Sequence, residues 1–147
     1  MDKLAICINF EEDALAALDQ IGKYIDLKGK KVEFLHAWNN EYYPYPGSMV
    51  VAFYPNKEQC VEIQQKMEEE LAKIASDFAQ KNNCEAVSKV FQSLSEKKAI
   101  CEYVDENKID LSVCLVPKRD KISEFFHSSF CHYLQVHSQS NVLCVKA

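Results

Sequence analysis

Glycine is scarce in this sequence of 147 residues: Gly22, Gly29 and Gly47 are the only three, and none follows residue 47. Loops that bind phosphate through backbone N–H groups need closely spaced glycines, because side chains would block the approach of the anion. Neither a G-x-G-x-x-G pattern nor a Walker pattern is present anywhere in the chain. This absence argues against a dinucleotide-dependent dehydrogenase and against a P-loop kinase.

Long apolar runs and ordered cysteine patterns are also missing. The longest apolar run, Met49–Tyr54, is too short to cross a membrane, and no secretory signal pattern opens the sequence. The seven cysteines form no C-x-x-C pair, so neither a zinc ribbon nor a disulfide framework is indicated. Cys7, Cys114 and Cys144 lie inside apolar, strand-like runs. We therefore expect no membrane partner, and reduced structural thiols in a cytoplasmic protein.

Positive charge is limited, and Arg119 is the single arginine. The net charge is −5, from 17 basic and 22 acidic side chains. Nucleic-acid binding without sequence specificity depends on the neutralisation of phosphates, so we expect no nucleic-acid partner. Lys118, Arg119 and Lys121 nevertheless gather three positive charges in one short segment. Such a segment is able to hold an anion electrostatically, although a solvated surface loop has the same composition.

Apolar runs of strand length alternate with segments of helical periodicity along the whole chain. Strands are predicted over Leu4–Ile8, Val32–Trp38, Glu85–Gln92, Leu111–Val116 and Val142–Val145. Helices are predicted over Glu11–Tyr24, Lys57–Lys81, Ser95–Asn107 and Phe126–His137. The apolar stripe of the second helix is predicted to contain Val61, Ile63, Met67, Leu71, Ile74 and Phe78. The alternation predicts a single doubly wound α/β domain over residues 1–147, with a five-stranded parallel sheet.

The segment between the second strand and the second helix is irregular and aromatic. Asn39–Pro55 holds three of the four prolines, and we interpret it as a long ordered loop. Tyrosine and tryptophan dominate binding hot spots, and this loop leaves the second strand on the ligand side of the sheet. Trp38–Tyr54 is therefore a candidate surface for a protein partner. Packing over the end of the sheet is the alternative explanation.

Three stretches of the sequence resemble motifs of one known family. Glu102–Cys114 resembles the pattern A-x-E-x-x-I-D-L-I-V-M that approaches the fourth strand of universal stress proteins. Ser128–His137 followed by Asn141–Lys146 resembles their tail, G-S-V-S-x-x-V-L-x-H-A-x-C-P-V-L-V-V. Leu4–Ile8 with Asn9 resembles their first strand and the aspartate that follows it. The resemblance to the universal stress protein family covers essentially residues 3–146.

This resemblance implies an architecture and an assembly. The expected fold is a three-layer, Rossmann-like domain of the adenine-nucleotide alpha-hydrolase type, with strand order 3-2-1-4-5. Members of the family are cytoplasmic, act in stress responses and usually form homodimers through the last strand. Val142, Leu143, Cys144 and Val145 would then form the dimer interface. Antiparallel pairing of two such edge strands would satisfy their unpaired backbone groups.

The resemblance also implies where a nucleotide would bind, and the sequence departs from the family there. One branch of the family binds ATP through the motif G-x2-G-x9-G-S/T. In register, its glycine positions fall on Leu115, Lys118 and Ser128, and only the final hydroxyl, Ser129, is kept. Ala37 matches a further position of the site, and the aspartate that approaches the ribose is replaced by Asn9. We expect side chains at 115 and 118 to fill the space where backbone would touch phosphate.

Two functions follow from these departures. The first is a non-enzymatic stress-response module that binds or regulates a partner and has no ATP cofactor. The alternative is an ATP-binding switch in which Lys118, Arg119 and Ser129 replace the glycine loop. A hydrolase is a third and weaker possibility, because Asn9 cannot act as a general base.

Metal and nucleophile chemistry find little support in the sequence. His127 and Cys131 are one helical turn apart, but no carboxylate or second cysteine completes a zinc site, so no metal is predicted. Ser128 and Ser129 lack both a nucleophile elbow and an acid partner. A helix cap is the simpler role for either serine.

Overall fold

The computed structural model describes residues 1–10, 12–39, 43–44, 52–53, 55–116 and 130–146. Its strands are β1 (Lys3–Cys7), β2 (Lys31–Trp38), β3 (Tyr43–Pro44), β4 (Ala52–Phe53), β5 (Glu85–Gln92), β6 (Leu111–Val116) and β7 (Asn141–Lys146). Its helices are α1 (Glu12–Ile21), α2 (Lys57–Asn82), α3 (Glu96–Glu106) and α4 (residues 130–137). The predicted alternation is confirmed. The predicted loop Asn39–Pro55 contains one short antiparallel pair of strands, β3 with β4.

Five strands form one parallel sheet in the order β5-β2-β1-β6-β7. In chain order of these five strands this is 3-2-1-4-5, as predicted. The chain builds outward from β1 to β5 and then returns to the opposite side of β1. The direction of winding therefore reverses between β1 and β6, and a crevice opens there at the carboxyl ends of the strands.

Each face of the sheet is covered by two helices, which makes three layers. Helices α1 and α2 cover one face, where α2 buries Leu71 and Phe78. The ring of Phe78 contacts that of Phe34 in β2 edge-on, with 5.2 Å between the ring centroids. On the other face, α3 and α4 bury Val104 and Leu134 against the sheet. Strands buried on both faces need nearly continuous apolar sequence, which explains the runs in β1 and β6.

Helix α2 begins and ends at clear signals. The Asn56 side chain accepts the backbone N–H of Gln59, and the Gln59 side chain accepts that of Asn56, forming a capping box. At the other end, Asn83 adopts a left-handed conformation with φ of 51° and donates its N–H to the Ala79 carbonyl. The prediction that Val61 belongs to the apolar stripe of this helix is wrong. Its side chain is 63% exposed because it lies beside the core-facing stripe, which already includes Cys60 and Ile63.

The start of α3 is stabilised by a residue that precedes its N-cap. Ser95 occupies the N-cap position, but its side chain makes no capping hydrogen bond. Instead the Ser93 hydroxyl accepts the backbone N–H of Ser95 at 3.1 Å and donates to its carbonyl. No helix within the described part of the chain is both long and apolar enough to span a bilayer.

Asp110 joins the amino terminus to the central strands. Its carboxylate accepts the backbone N–H groups of Asp2 and Lys3, each at 3.0 Å. Its own N–H donates to the Lys3 carbonyl, and its carbonyl accepts the N–H of Asn141. The hydrogen bonds from Lys3 and Asp2 lower the pKa of the carboxyl. One side chain thus helps to hold together the starts of β1, β6 and β7.

Truncation of the α2 core should be costly. Leu71 is fully buried, so Leu71→Ala leaves a cavity and should lower the free energy of unfolding by about 2–5 kcal/mol. Val61→Ala on the exposed side of the same helix is the matched control, and it should change stability by less than about 0.5 kcal/mol. Urea denaturation of both variants measures the difference. Equal losses in the two variants would contradict this description of the helix.

The stability that Asp110 contributes through its hydrogen bonds to Asp2 and Lys3 should depend on pH. Because the fold lowers the pKa of this carboxyl, its contribution is present at neutral pH and is lost as pH falls through the folded pKa. Asp110→Asn should therefore unfold at lower urea concentration than the wild type near neutral pH, and the difference should shrink below about pH 4. Asp77→Asn, at an exposed position of α2, is the control. A difference that is independent of pH would show that the charge is not involved.

Candidate ligand site at the carboxyl edge of the sheet

A cavity of about 350 Å³ opens at the carboxyl ends of β1, β2 and β6. The first turn of α3 and the first described residues of α4 close its sides. Its walls are formed by Cys7, Ile8, Asn9, His36, Ala37, Glu96, Lys97, Ile100, Cys114, Leu115, Phe130 and Cys131. This is the place where doubly wound α/β domains bind their ligands.

The register of the sheet brings the predicted site residues to this cavity. Asn9 follows β1, Ala37 is the penultimate residue of β2, and Leu115 is the penultimate residue of β6. All three line the cavity. The other predicted positions, Lys118, Arg119, Ser128 and Ser129, lie outside the described residues, as does His127.

Leu115 occupies the first glycine position of the family motif without filling the cavity. Its side chain is only 6% exposed and belongs to the core on the α1–α2 face. The cavity thiols lie on the opposite face of the sheet. β6 directs that side chain into the core of the α1–α2 face, although the residue also lines the cavity, and the expectation that it takes the space of a phosphate stays a prediction. The residue lies in an extended strand, so no left-handed backbone is required there.

Three thiols form a part of the cavity wall that sequence reasoning missed. Cys7 and Cys114 are register partners in adjacent strands, and Cys131 faces them from α4. The sequence treats each of them as an isolated apolar residue. The sequence nevertheless holds a signal for the two cysteines in strands. Cys7 is the fourth residue of the predicted strand Leu4–Ile8, and Cys114 is the fourth residue of Leu111–Val116. Parallel strands paired from their first residues place such positions side by side.

Two charged residues at the start of α3 give the cavity its polar side. Burial raises the pKa of Glu96, and the hydrogen bond from the backbone N–H of Asn39 opposes this rise. That bond also joins the end of β2 to the first turn of α3. Lys97 lines the cavity beside Glu96. When ionised, the Glu96 carboxylate would repel a phosphate group at this side of the cavity.

His36 is a second residue that sequence reasoning missed, and its role is structural. Its Nδ1 lies 2.8 Å from the Ile8 carbonyl, and its ring meets that of Phe10 at 4.7 Å between centroids. Burial lowers the pKa of the imidazole. A neutral ring with a proton on Nδ1 donates to Ile8 and holds the end of β1 beside β2. This contact fixes the backbone that leads to Asn9.

The aromatic segment that follows β2 is described only in part. Trp38 is 3% exposed, and its Nε1–H donates to the Gln64 side chain at 2.7 Å. Gln64 also donates to the Val90 carbonyl, so it links α2 to β2 and β5. Trp38 is therefore a core residue and not a contact for a partner. Most of the remaining aromatic segment lies outside the described residues.

The described ranges contain no group of three or more histidine, cysteine or acidic side chains suited to hold a metal ion. Cys131 and His132 are adjacent in α4, but they do not form part of such a group. The chemistry of the cavity therefore depends on thiols, the Asn9 amide, the His36 imidazole and one pair of opposite charges.

The comparison with known families agrees with this geometry. The model of the universal stress protein family matches residues 1–146. The chain belongs to the universal stress protein family. The resemblance found in the sequence is thus confirmed over nearly the whole domain. No curated protein matches the chain.

Solved structures of this family share the fold at low sequence identity. A universal stress protein of Archaeoglobus fulgidus in complex with dAMP has a TM-score of 0.63 and 17% identity, covering 99% of this chain and 98% of its own. A family protein of Arabidopsis thaliana with AMP bound has a TM-score of 0.62 and 15% identity, with coverages of 99% and 91%. A universal stress protein in complex with cAMP has a TM-score of 0.63 and 16% identity, with coverages of 99% and 96%.

Proposed function

We propose that this universal stress protein is a cytoplasmic, non-enzymatic module that acts as a homodimer and does not bind ATP through the family motif. The observation that carries the proposal is the composition of the strand-end cavity. Its described walls are mainly apolar and thiol side chains, with Asn9 at the position of the family aspartate. A neutral amide lacks the charge that suits a ribose hydroxyl.

The features that would bind the phosphate groups of a nucleotide also differ from those of the family motif. Lys118 and Ser128 stand at the second and third glycine positions, so the backbone there has less freedom to wrap a triphosphate. The Glu96 carboxylate next to the cavity adds a repulsive charge. No described residue in the cavity has the arrangement of a nucleophile activated by a base. These features together favour a binding or regulatory role over catalysis.

Dimerisation through β7 rests on the different character of the two sheet edges. β5 at one edge presents the charged side chains of Glu85 and Lys89, which discourage strand pairing. β7 at the other edge carries the apolar run Val142–Val145 between Asn141 and Lys146. Antiparallel pairing of β7 with its copy would satisfy the free backbone groups and cover part of this run.

The remaining aromatic segment, without Trp38, is our candidate surface for a protein partner. Its tyrosines follow the end of β2, close in sequence to the cavity residue Ala37. An aromatic segment at the ligand side of the sheet is able to present such side chains to another protein.

A nucleotide switch is the second candidate. It is favoured by the cavity at the switch point and by the solved relatives in complex with AMP, dAMP or cAMP. In this case Lys118 and Arg119 would neutralise phosphate charge in place of the glycine loop. Activity would then follow the concentration of the nucleotide.

Calorimetric titration with ATP and Mg²⁺ separates the two candidates. We expect no saturable heat up to about 1 mM ATP, because the contacts to a triphosphate are missing. AMP is the control for heat that comes from the adenosine half alone. Micromolar binding of ATP would contradict the proposal. The Lys118→Ala/Arg119→Ala double variant should then lose that binding, whereas Lys108→Ala should keep it.

A charge on the β7 edge should favour the monomer. Val142→Asp places a carboxylate in the paired region, and burying two such charges across a two-fold axis is unfavourable. Light scattering should show a smaller particle than for the wild type. Val87→Asp, at an exposed valine of the opposite edge strand, should leave the assembly unchanged. A wild-type monomer, or a Val142→Asp dimer of unchanged stability, would exclude this interface.

A further inference from the structure

Three cysteines stand in a row across the middle of the sheet. Cys7 of β1 is the register partner of Cys114 of β6, and Cys114 is the register partner of Cys144 of β7. Register partners in parallel strands point their side chains to the same face. Cys7 and Cys114 belong to the core on the α3–α4 face. The Cys144 side chain therefore points toward the same pair of helices.

A fourth thiol completes this cluster from the helix above it. Cys131 of α4 is buried in the same core cluster as Cys7 and Cys114, and its thiol neighbours those of Cys114 and Cys144. The contacts thus continue from Cys7 through Cys114 and Cys131 to Cys144. We call these four residues the thiol cluster. Cys60 and Cys84 are separate from it, since they pack against the core on the α1–α2 face.

The members of the thiol cluster differ in their access to solvent. Cys7, Cys114 and Cys131 are buried, whereas Cys144 is exposed. A small oxidant that diffuses to the protein therefore meets Cys144 first. Its thiol neighbour in α4 is Cys131. An exposed thiol beside a second thiol is the arrangement in which an oxidised sulfur is captured as a disulfide.

We propose that Cys144 and Cys131 form a modification site at which a hydroperoxide produces an intramolecular disulfide. The Cys144 sulfur attacks the peroxide O–O bond, so the sulfur is oxidised to a sulfenic acid and the peroxide is reduced to water or an alcohol. The Cys131 sulfur then attacks the sulfenic sulfur. The S–S bond forms, the S–O bond breaks, and the oxygen leaves as water with the two remaining protons.

Cys131 is a better partner for Cys144 than Cys114 is. Cys114 lies in a strand that pairs with β1 on one side and β7 on the other, so its backbone is held by two ladders. Cys131 lies in α4, which is packed against the sheet and is not part of its hydrogen-bonded ladders. A disulfide requires a specific dihedral angle about the S–S bond. A helix packed on the sheet adjusts to that requirement more easily than a central strand.

The rate of oxidation depends on the fraction of the Cys144 and Cys131 thiols that is deprotonated. Burial and the neighbouring thiol Cys131 raise the pKa of Cys144 to about 12, and the contact with Cys114 together with burial raises that of Cys131. The reactive thiolate is therefore a minor species at neutral pH. Oxidation should be slow there and should accelerate as pH rises. The site would respond to sustained rather than brief exposure to peroxide.

The disulfide would connect two regions on which the proposed function depends, although its formation requires neither nucleotide nor partner. Cys131 belongs to the cavity wall, and Cys144 belongs to the edge strand β7. Pairing of two β7 edges uses backbone groups, which point along the edge, whereas the Cys144 side chain points to a face.

Mass spectrometry of the full chain tests the proposal. The reduced protein is treated with hydrogen peroxide, its free thiols are then alkylated in denaturant, and it is digested with chymotrypsin. Cleavage after Tyr133 and Leu143 separates the two cysteines. The expected result is one pair of peptides joined through Cys131 and Cys144, with a total mass lower by two hydrogen atoms. A covalent dimer through Cys144, or a link that involves Cys60 or Cys84, would overturn the proposal.

Two variants sharpen the outcome. Cys144→Ser should abolish the two-hydrogen loss, and Cys60→Ser, a half-buried cysteine outside the thiol cluster, should leave it unchanged. Circular dichroism verifies that both variants fold. Persistence of the loss in Cys144→Ser would show that two buried thiols react instead, and the proposal would be wrong. Because the wild-type peptide map gives the linkage directly, the result does not depend on the folding of either variant.

Discussion

The pairing of β1 with β6 is the contact on which the rest of this structure depends. Leu4–Cys7 is aligned with Leu111–Cys114 without a shift. This alignment joins the half of the sheet built outward from β1 to the half built on its return. It also puts the carboxyl ends of both strands at one crevice, with the amino-terminal sides held by Asp110. A shift by one residue would turn the apolar side chains of a strand to the wrong faces.

The same alignment gives the cavity an unusual chemical character for a nucleotide site. Register places Cys7 beside Cys114, and α4 adds Cys131 above them. Thiols are soft and weakly polar, so they offer little to a phosphate. The polar groups that remain, Asn9, His36 and the pair Glu96 and Lys97, do not concentrate positive charge. A ligand of the described part of this cavity would gain mainly from apolar contact.

The edge of the sheet and the cavity are connected through the thiol cluster. Cys144 lies in the outermost strand, and Cys131 reaches from there to the cavity wall. A change in the bonding of these sulfurs would therefore act on the position of α4 relative to β7. Among its described residues, α4 is held on the α3–α4 face by the buried side chains of Cys131 and Leu134. Small shifts of such a helix cost less than shifts of the hydrogen-bonded sheet.

The sequence by itself determined the secondary structure, the parallel sheet and the family. Apolar runs, helical periodicity and tail motifs are local patterns, and the right strand order followed from the resemblance. The resemblance assigned Asn9, Ala37 and Leu115 to one ligand site, and all three line the cavity at the carboxyl edge of the sheet. Only the tertiary structure decided the faces on which side chains lie. In the tertiary structure the side chains of Leu115 and Trp38 are buried in the core, whereas that of Val61 is exposed to solvent. Four cysteines that are distant in the sequence lie in one cluster. These outcomes depend on strand register and helix rotation, which are set by contacts between residues far apart in the chain.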